Sequence, residues 1–238
     1  MLHQFLASLP FMTDARATLM IDAFVPLMKS GFMVSVPLAI ASFICGMIIA
    51  IAVALVRVMP RGGVFHRIIL AILKVYISII RGTPMVVQLA IVFYGLPAMN
   101  IFIDPIPAAI IAFSLNVGAY GSETVRAAIL SVLKGQWEAG FSIGMTYMQT
   151  FRRIIAPQAL RVAVPPLSNS FIGLFKETSL ASFVTVTEMF RVAQQYANTS
   201  YDFLPVYIEV GFTYWLFCWV LFVVQARLEK HFDRHVAR

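Results

Sequence analysis

Asn116, Tyr120 and Glu123 follow one another at spacings of four and three residues, so on a helix they share one face. The residues around them are mostly apolar, and polar side chains inside a bilayer are costly enough that they usually face a cavity or a partner. This face therefore predicts the lining of a polar path. Asn169, in a segment broken by Pro165 and Pro166, is the next candidate, because its amide carries a donor and an acceptor and can serve either end of a zwitterion. Packing roles compete with both readings. Glu123 can pair with Arg126 three residues on, and Asn169 can make an interhelical hydrogen bond. Ser114, Gly118 and Ser122 form a small-residue stripe on the same segment as the polar face, suited to close helix contact.

Other reactive residue types suggest less chemistry. Arg81 is a charge within an apolar segment, either a contact to a subunit or gate or a side chain reaching back to the headgroups. Lys176 and Glu177 are adjacent, point in different directions and mark the outer end of a helix. His231 and His235, four apart near the C-terminus, have metal-binding spacing but read more simply as a solvated tail. The sequence has no glycine-rich phosphate loop ending in Gly-Lys-Ser/Thr and no HExxH pattern, so neither ATP nor peptide hydrolysis is predicted for this chain. Cys45 and Cys218 sit far apart in apolar runs, as small hydrophobes.

These residues are carried by an integral membrane protein. Of 238 residues, 60% are hydrophobic and 12% charged, against about 25% charged in soluble domains. The expected fold is all-α, with five transmembrane helices at about 32–56, 68–96, 107–133, 162–180 and 206–225. Phe32 to Val56 is a run of 25 residues without a charge, long enough at about 1.5 Å per residue to cross about 30 Å of hydrocarbon with some tilt. Gly46, Ala50 and Ala54 along it would let another backbone approach. The second segment is one long helix bent at Gly82-Thr83-Pro84. Residues 1–31 form an N-terminal interfacial segment, or the head of the first span, with no removable signal peptide. Residues 228–238 form a tail. Between spans four and five, Thr185 and Glu188 suggest a capping box for an interfacial helix, with Val186, Met189, Phe190, Ala193 and Ala197 on its apolar face and Glu188 on the polar one.

Lysine and arginine are unevenly shared. With these spans, twelve fall on one side (Arg57, Arg61, Arg67, Arg126, Lys134, Arg152, Arg153, Arg161, Arg227, Lys230, Arg234 and Arg238) and three, Arg16, Lys29 and Arg191, on the other. The positive-inside rule puts the N-terminus outside and the C-terminus in the cytoplasm. A net charge of +7 arranged this way reflects topology and does not suggest nucleic acid.

Residues 137–157 lie on the cytoplasmic side and are too polar to span. They predict a helix opening at Glu138, a stop at Gly144, a second helix capped by Thr146 with Gln149, and an end at Pro157. Tyr147, Phe151, Ile154 and Ile155 form the second helix's apolar face. The two short helices make a docking element or, alternatively, an ordinary connecting hairpin.

The same stretch resembles the cytoplasmic coupling motif of ABC importer permeases. Glu138, Ala139, Gly144, Ile154 and Pro157 stand at the motif positions, with Gly140 departing from its second alanine. Arg81-Gly82-Thr83-Pro84 followed by Gln88-Leu89, the run from Asn116 to Ala139, and Lys176-Glu177-Thr178-Ser179-Leu180 resemble permeases of polar amino-acid importers of the histidine, glutamine and arginine type. The resemblance covers about residues 30–228, and the loop around Asp104-Pro105-Ile106-Pro107 and the run Pro165 to Phe171 look closest to bacterial cystine permeases. The resemblance implies a permease subunit in the bacterial cytoplasmic (inner) membrane that is not itself an enzyme. It implies separate ATPase subunits that bind ATP and Mg, an extracytoplasmic amino-acid-binding protein and a second permease subunit, with no cofactor in this chain. Coupling would fall to Glu138, Ala139, Gly144, Tyr147, Phe151, Ile154 and Pro157. The rival is a self-sufficient secondary transporter or channel that uses Glu123, Arg81 and Lys74 as intramembrane charges.

Overall fold

A computed structural model describes residues 13–60 and 62–233; Arg61, Arg234, Arg238 and the side chains of His231 and His235 lie outside them. Every regular element among the described residues is helical. Helix α1 runs unbroken from Asp14 to Val58, so most of the N-terminal segment heads the first span. Helix α2 covers Val64–Gly82 and α3 Met85–Ala90. Next come α4, Pro105–Ser131, and α5, Lys134–Ser142. Tyr147–Thr150 is α6 and Ala156–Glu177 is α7, followed by α8, Met189–Ser200, and α9, Phe203–Asp233.

By length and composition, Asp14–Val58 and Phe203–Lys230 can each cross a membrane, and a third crossing exists if α2 and the segment Met85–Met99 form one span. The interruption expected within 68–96 falls at Thr83-Pro84, and it is sharp. The pair turns by 110° at the break, because Pro84 cannot donate a backbone hydrogen bond and Thr83 is extended. Helix α4 is less apolar than α1 because it carries residues such as Ser114, Asn116, Ser122, Glu123 and Arg126, and of these Ser114 and Ser122 are buried in the protein.

Prolines shape the remaining helices without ending them. The described π turns, Gly31–Ser35, Ile91–Gly95 and Phe151–Ile155, each stop two residues before a proline: Pro37, Pro97 and Pro157. A proline lacks an N–H and crowds the carbonyl four residues back, and a widened turn moves that carbonyl aside. Pro157 therefore does not terminate the second coupling helix. Tyr147 to Glu177 continues through the π turn, and Pro165 and Pro166 lie inside α7 without breaking it.

Helices α1 and α4 pack along their length through the small-residue stripes. Gly46, Ala50 and Ala54 are buried, and a Cβ on Gly46 would sit 2.5 Å from the Cβ of Val117. One core joins α1 with α7, α8 and α9 around Leu27, Phe175, Met189 and Phe217. A second packs Leu38, Leu89, Phe113 and Leu174. A third, Ile129, Val132, Ile155 and Ala159, seats the 134–155 hairpin against α4 and α7.

The helix between the last two long segments starts later than expected. Thr185 is left-handed, with φ 66°, and no Thr185–Glu188 capping box forms; Glu188 is itself the N-cap of α8. It is fully buried, not on a polar face. Its carboxylate accepts from the backbone of Phe190 at 2.8 Å and Arg191 at 2.7 Å, and from Tyr214 Oη at 2.8 Å. Burial pushes its carboxyl up to about 7 against the pull of these donors. Glu188→Ala removes the cap, worth about 1 kcal/mol, and takes from the buried Tyr214 hydroxyl its carboxylate acceptor, at about 1 kcal/mol more because Thr178 remains beside it. A clear fall in the thermal unfolding midpoint of the purified protein is expected, with a smaller one for Glu188→Gln. Equal midpoints for wild type and Glu188→Ala would refute this account.

Candidate functional site

A cavity of about 360 Å³ opens between α1, the α2–α3 break, α4 and α7, bordered by Phe43, Thr83, Asn116, Tyr120, Ser170 and Glu177 among others. Two of the four expected path residues, Asn116 and Tyr120, stand on its wall. Glu177 is the one charged side chain among the lining residues, whereas its sequence position marks only a helix end. Its place follows from α7 running on to residue 177, so that Ser170, Gly173, Leu174 and Glu177 share a face.

Glu123 lies one helical turn beyond Tyr120 and is engaged by cations. Its Oε1 accepts from Arg57 Nη1 at 2.6 Å, and its Oε2 from Arg126 Nε at 3.1 Å and Nη2 at 2.9 Å. Arg81 Nη1 is 4.0 Å away, with its guanidinium carbon 5.3 Å from the Tyr120 ring centre. Arg81 thus lies over Tyr120 at the edge of this group, with its side chain 45% exposed. Glu123 has the Arg126 partner foreseen from spacing and a second, Arg57, which spacing could not suggest across 66 residues.

Asn169 does not join the group. Its Oδ1 accepts from Gln225 Nε2 at 3.0 Å, tying α7 to α9, and it does not border the cavity. Gln88, which the sequence offers only as part of a motif and not as a site residue, is buried and bonded to both the α2–α3 break and Asn116. A glutamine one helical turn after a helix-breaking proline was the available signal.

The 134–155 hairpin closes as Gly144 predicts, with φ +80°. Gly144 N–H donates to Phe141 O at 2.9 Å and Met145 N–H to Gly140 O at 3.1 Å, the paired bonds of a Schellman closure. Thr146 and Gln149 form the expected capping box. The helix start differs: α5 begins at Lys134, so Glu138 stands in the second turn, away from the strongest part of the dipole. Gly140 is buried with Thr150 Cγ2 only 2.6 Å from where its Cβ would lie, so the helices approach too closely there for an unshifted alanine. The apolar face of Tyr147, Phe151 and Ile154 turns inward. Trp137 stacks on Tyr147 at 5.0 Å and Phe151 at 6.3 Å between ring centres, and Ile154 packs on the third core. Exposed at the tip are Glu138, Ala139, Phe141, Ile143 and Met148.

Residues 46–234 match the family described as binding-protein-dependent transport system inner membrane components. The chain belongs to this family. Its similarity to the L-cystine transport system permease protein TcyB of Bacillus subtilis (strain 168) is 51% identity, covering 98% of this chain and 100% of that one. Glutamine transport system permease protein GlnP of Escherichia coli (strain K12) is 34% identical, covering 87% and 93%. The crystal structure of an amino acid ABC transporter with histidines superimposes with a TM-score of 0.80 at 28% identity, over 89% of this chain and 96% of that one. In this inner membrane component, the cavity and the hairpin are two separate features, one between the helices and one at an end of the bundle.

Proposed function

We propose that this chain is the permease subunit of an ATP-driven importer of polar amino acids, of the cystine type. The observation that carries the substrate class is the full-length similarity to an L-cystine permease, and the chemistry of the cavity agrees. Asn116, Tyr120 and Glu177 bring an amide, a phenol and a carboxylate to one cavity whose remaining lining is largely apolar, a combination suited to a zwitterion with an apolar middle. The chain acts in the bacterial cytoplasmic membrane with a second permease subunit, a binding protein outside and ATPase subunits inside. ATP and Mg are held by the ATPase. The exposed tip at Glu138, Ala139, Phe141, Ile143 and Met148 is the contact to that ATPase, while Gly144, Tyr147, Phe151, Ile154 and Pro157 give the tip its shape. Against the rival secondary transporter, Glu123 is held by two arginines and is not a free carboxylate for ion coupling.

Five helical segments cross the membrane in this reading. Cysteine labels at Gln149 and at the C-terminus should react from the cytoplasmic side, and a label at Asp104 from outside. Labelling of Gln149 from the outside alone would overturn the orientation. The function itself is tested by copurifying the tagged chain with its partners and measuring ATP-dependent cystine uptake in vesicles. Uptake driven by an ion gradient without an ATPase would favour the rival.

A further inference from the structure

The cavity carries an amide whose orientation is set from outside the cavity. At the end of α2, the carbonyl of Ile80 would accept from the N–H of residue 84 in a continuing helix, but residue 84 is proline. Gln88 Nε2 stands in for that missing donor at 2.7 Å. The same nitrogen lies 3.0 Å from Thr83 O and 2.9 Å from Thr83 Oγ1, and Thr83 Oγ1 spends its own proton on Ile79 O at 2.9 Å. Three accepting oxygens surround one end of the Gln88 amide. Reversing it would set Oε1 against all three, so the NH₂ belongs there and Oε1 faces the other way.

Oε1 meets Asn116, accepting from its Nδ2 at 3.1 Å. This commits one of the two N–H bonds of Asn116 to the protein and holds that end of its amide against Gln88, so that Oδ1, at the other end, is the atom turned toward the cavity that Asn116 borders. We propose that Gln88 is a positioning residue that fixes Asn116 as a hydrogen-bond acceptor, so that this part of the cavity reads the ammonium group of its substrate and not the carboxylate. Tyr120 acts in the same sense: its hydroxyl donates to Arg81 O at 3.4 Å, leaving lone pairs for the cavity. Glu177, when ionised, accepts only. The inference rests on the import reading above and adds to it which end of the amino acid is recognised and which buried residue decides that.

The test is competition for radiolabelled cystine on the detergent-purified permease–ATPase complex. The competitors are cystine dimethyl ester, which keeps both ammonium groups, and N,N′-diacetylcystine, which keeps both carboxylates. Wild type should prefer the ester. Gln88→Met should still copurify with the ATPase yet lose about tenfold of that preference, the scale of one hydrogen bond to a charged group, because Asn116 is then free to turn. If Gln88→Met fails to assemble, Asn116→Leu and Asn116→Asp decide: leucine should lose the preference, and aspartate, an acceptor in either orientation, should keep it even where affinity falls. An unchanged preference in assembled Gln88→Met, its retention in Asn116→Leu, or its loss in Asn116→Asp overturns the inference while leaving the import reading standing. Failure of the assembled wild-type complex to bind cystine overturns the import reading and the inference with it.

Discussion

Glu123→Ala should destabilise this protein more than any other single substitution at the polar face. Glu123 is the shared partner of Arg57 and Arg126, with Arg81 at 4.0 Å, and its removal leaves three guanidinium groups crowded together without an acceptor. Breaking a buried ion pair by deleting one partner costs about 3–5 kcal/mol. Here the lower end applies, roughly 3 kcal/mol, because water screens groups that are partly exposed: the Arg57 side chain is 15% exposed and that of Arg126 32%. A drop of several degrees in thermal midpoint and poor recovery from the membrane are expected. Arg57→Ala in the same chain should restore part of the loss, since it relieves the repulsion, and a double-mutant cycle measures that coupling. If the two substitutions simply add, the network contributes nothing and Glu123 returns to the candidates for direct contact with substrate.

The second large effect is expected at Gly144, on function and not on insertion. A Cβ there meets no atom within 4 Å, so the obstacle is the backbone alone, at φ +80°. A left-handed residue costs roughly 1–2 kcal/mol with a side chain present and more with a β-branched one. Gly144→Val should therefore open the Schellman closure, release the Trp137–Tyr147 stack and abolish ATP-driven uptake and stimulation of the ATPase by loaded binding protein. Gly144→Asn should retain much of both, because asparagine tolerates this conformation. The pair separates conformation from bulk. Full stimulation in Gly144→Val, with normal copurification, would reduce the hairpin to a connection between helices.

Much of the candidate site was legible because its signals are local. Gly144 as a left-handed stop, the Thr146–Gln149 box and the sharing of a face by Asn116 and Tyr120 each depend on residues within one or two helical turns. The misreadings were also local rules, applied where packing overrode them. Pro157 looked like a helix end and Pro165 like a break, yet a π turn absorbs the first and α7 runs through the second. Thr185 and Glu188 had capping-box spacing, but Glu188 is drawn inward by Tyr214 and caps the helix itself.

By itself the sequence determined the all-helical membrane class, the family, the small-residue faces and the position of the hairpin, since hydropathy, periodicity and glycine conformation are properties of short stretches of chain. Only the tertiary structure decided which partners those stretches meet. Arg57 reaches Glu123 because the small-residue stripes let α1 and α4 approach closely. Tyr147, Phe151 and Ile154 face Trp137 and the core, not the outside, because α5 and α6 close on each other at Gly140. Asn169 leaves the cavity for Gln225 while Glu177 enters it, because an unbroken α7 turns those two side chains to different neighbours. A pattern along one helix says which residues travel together; the direction they face is set by what the other helices offer to bury.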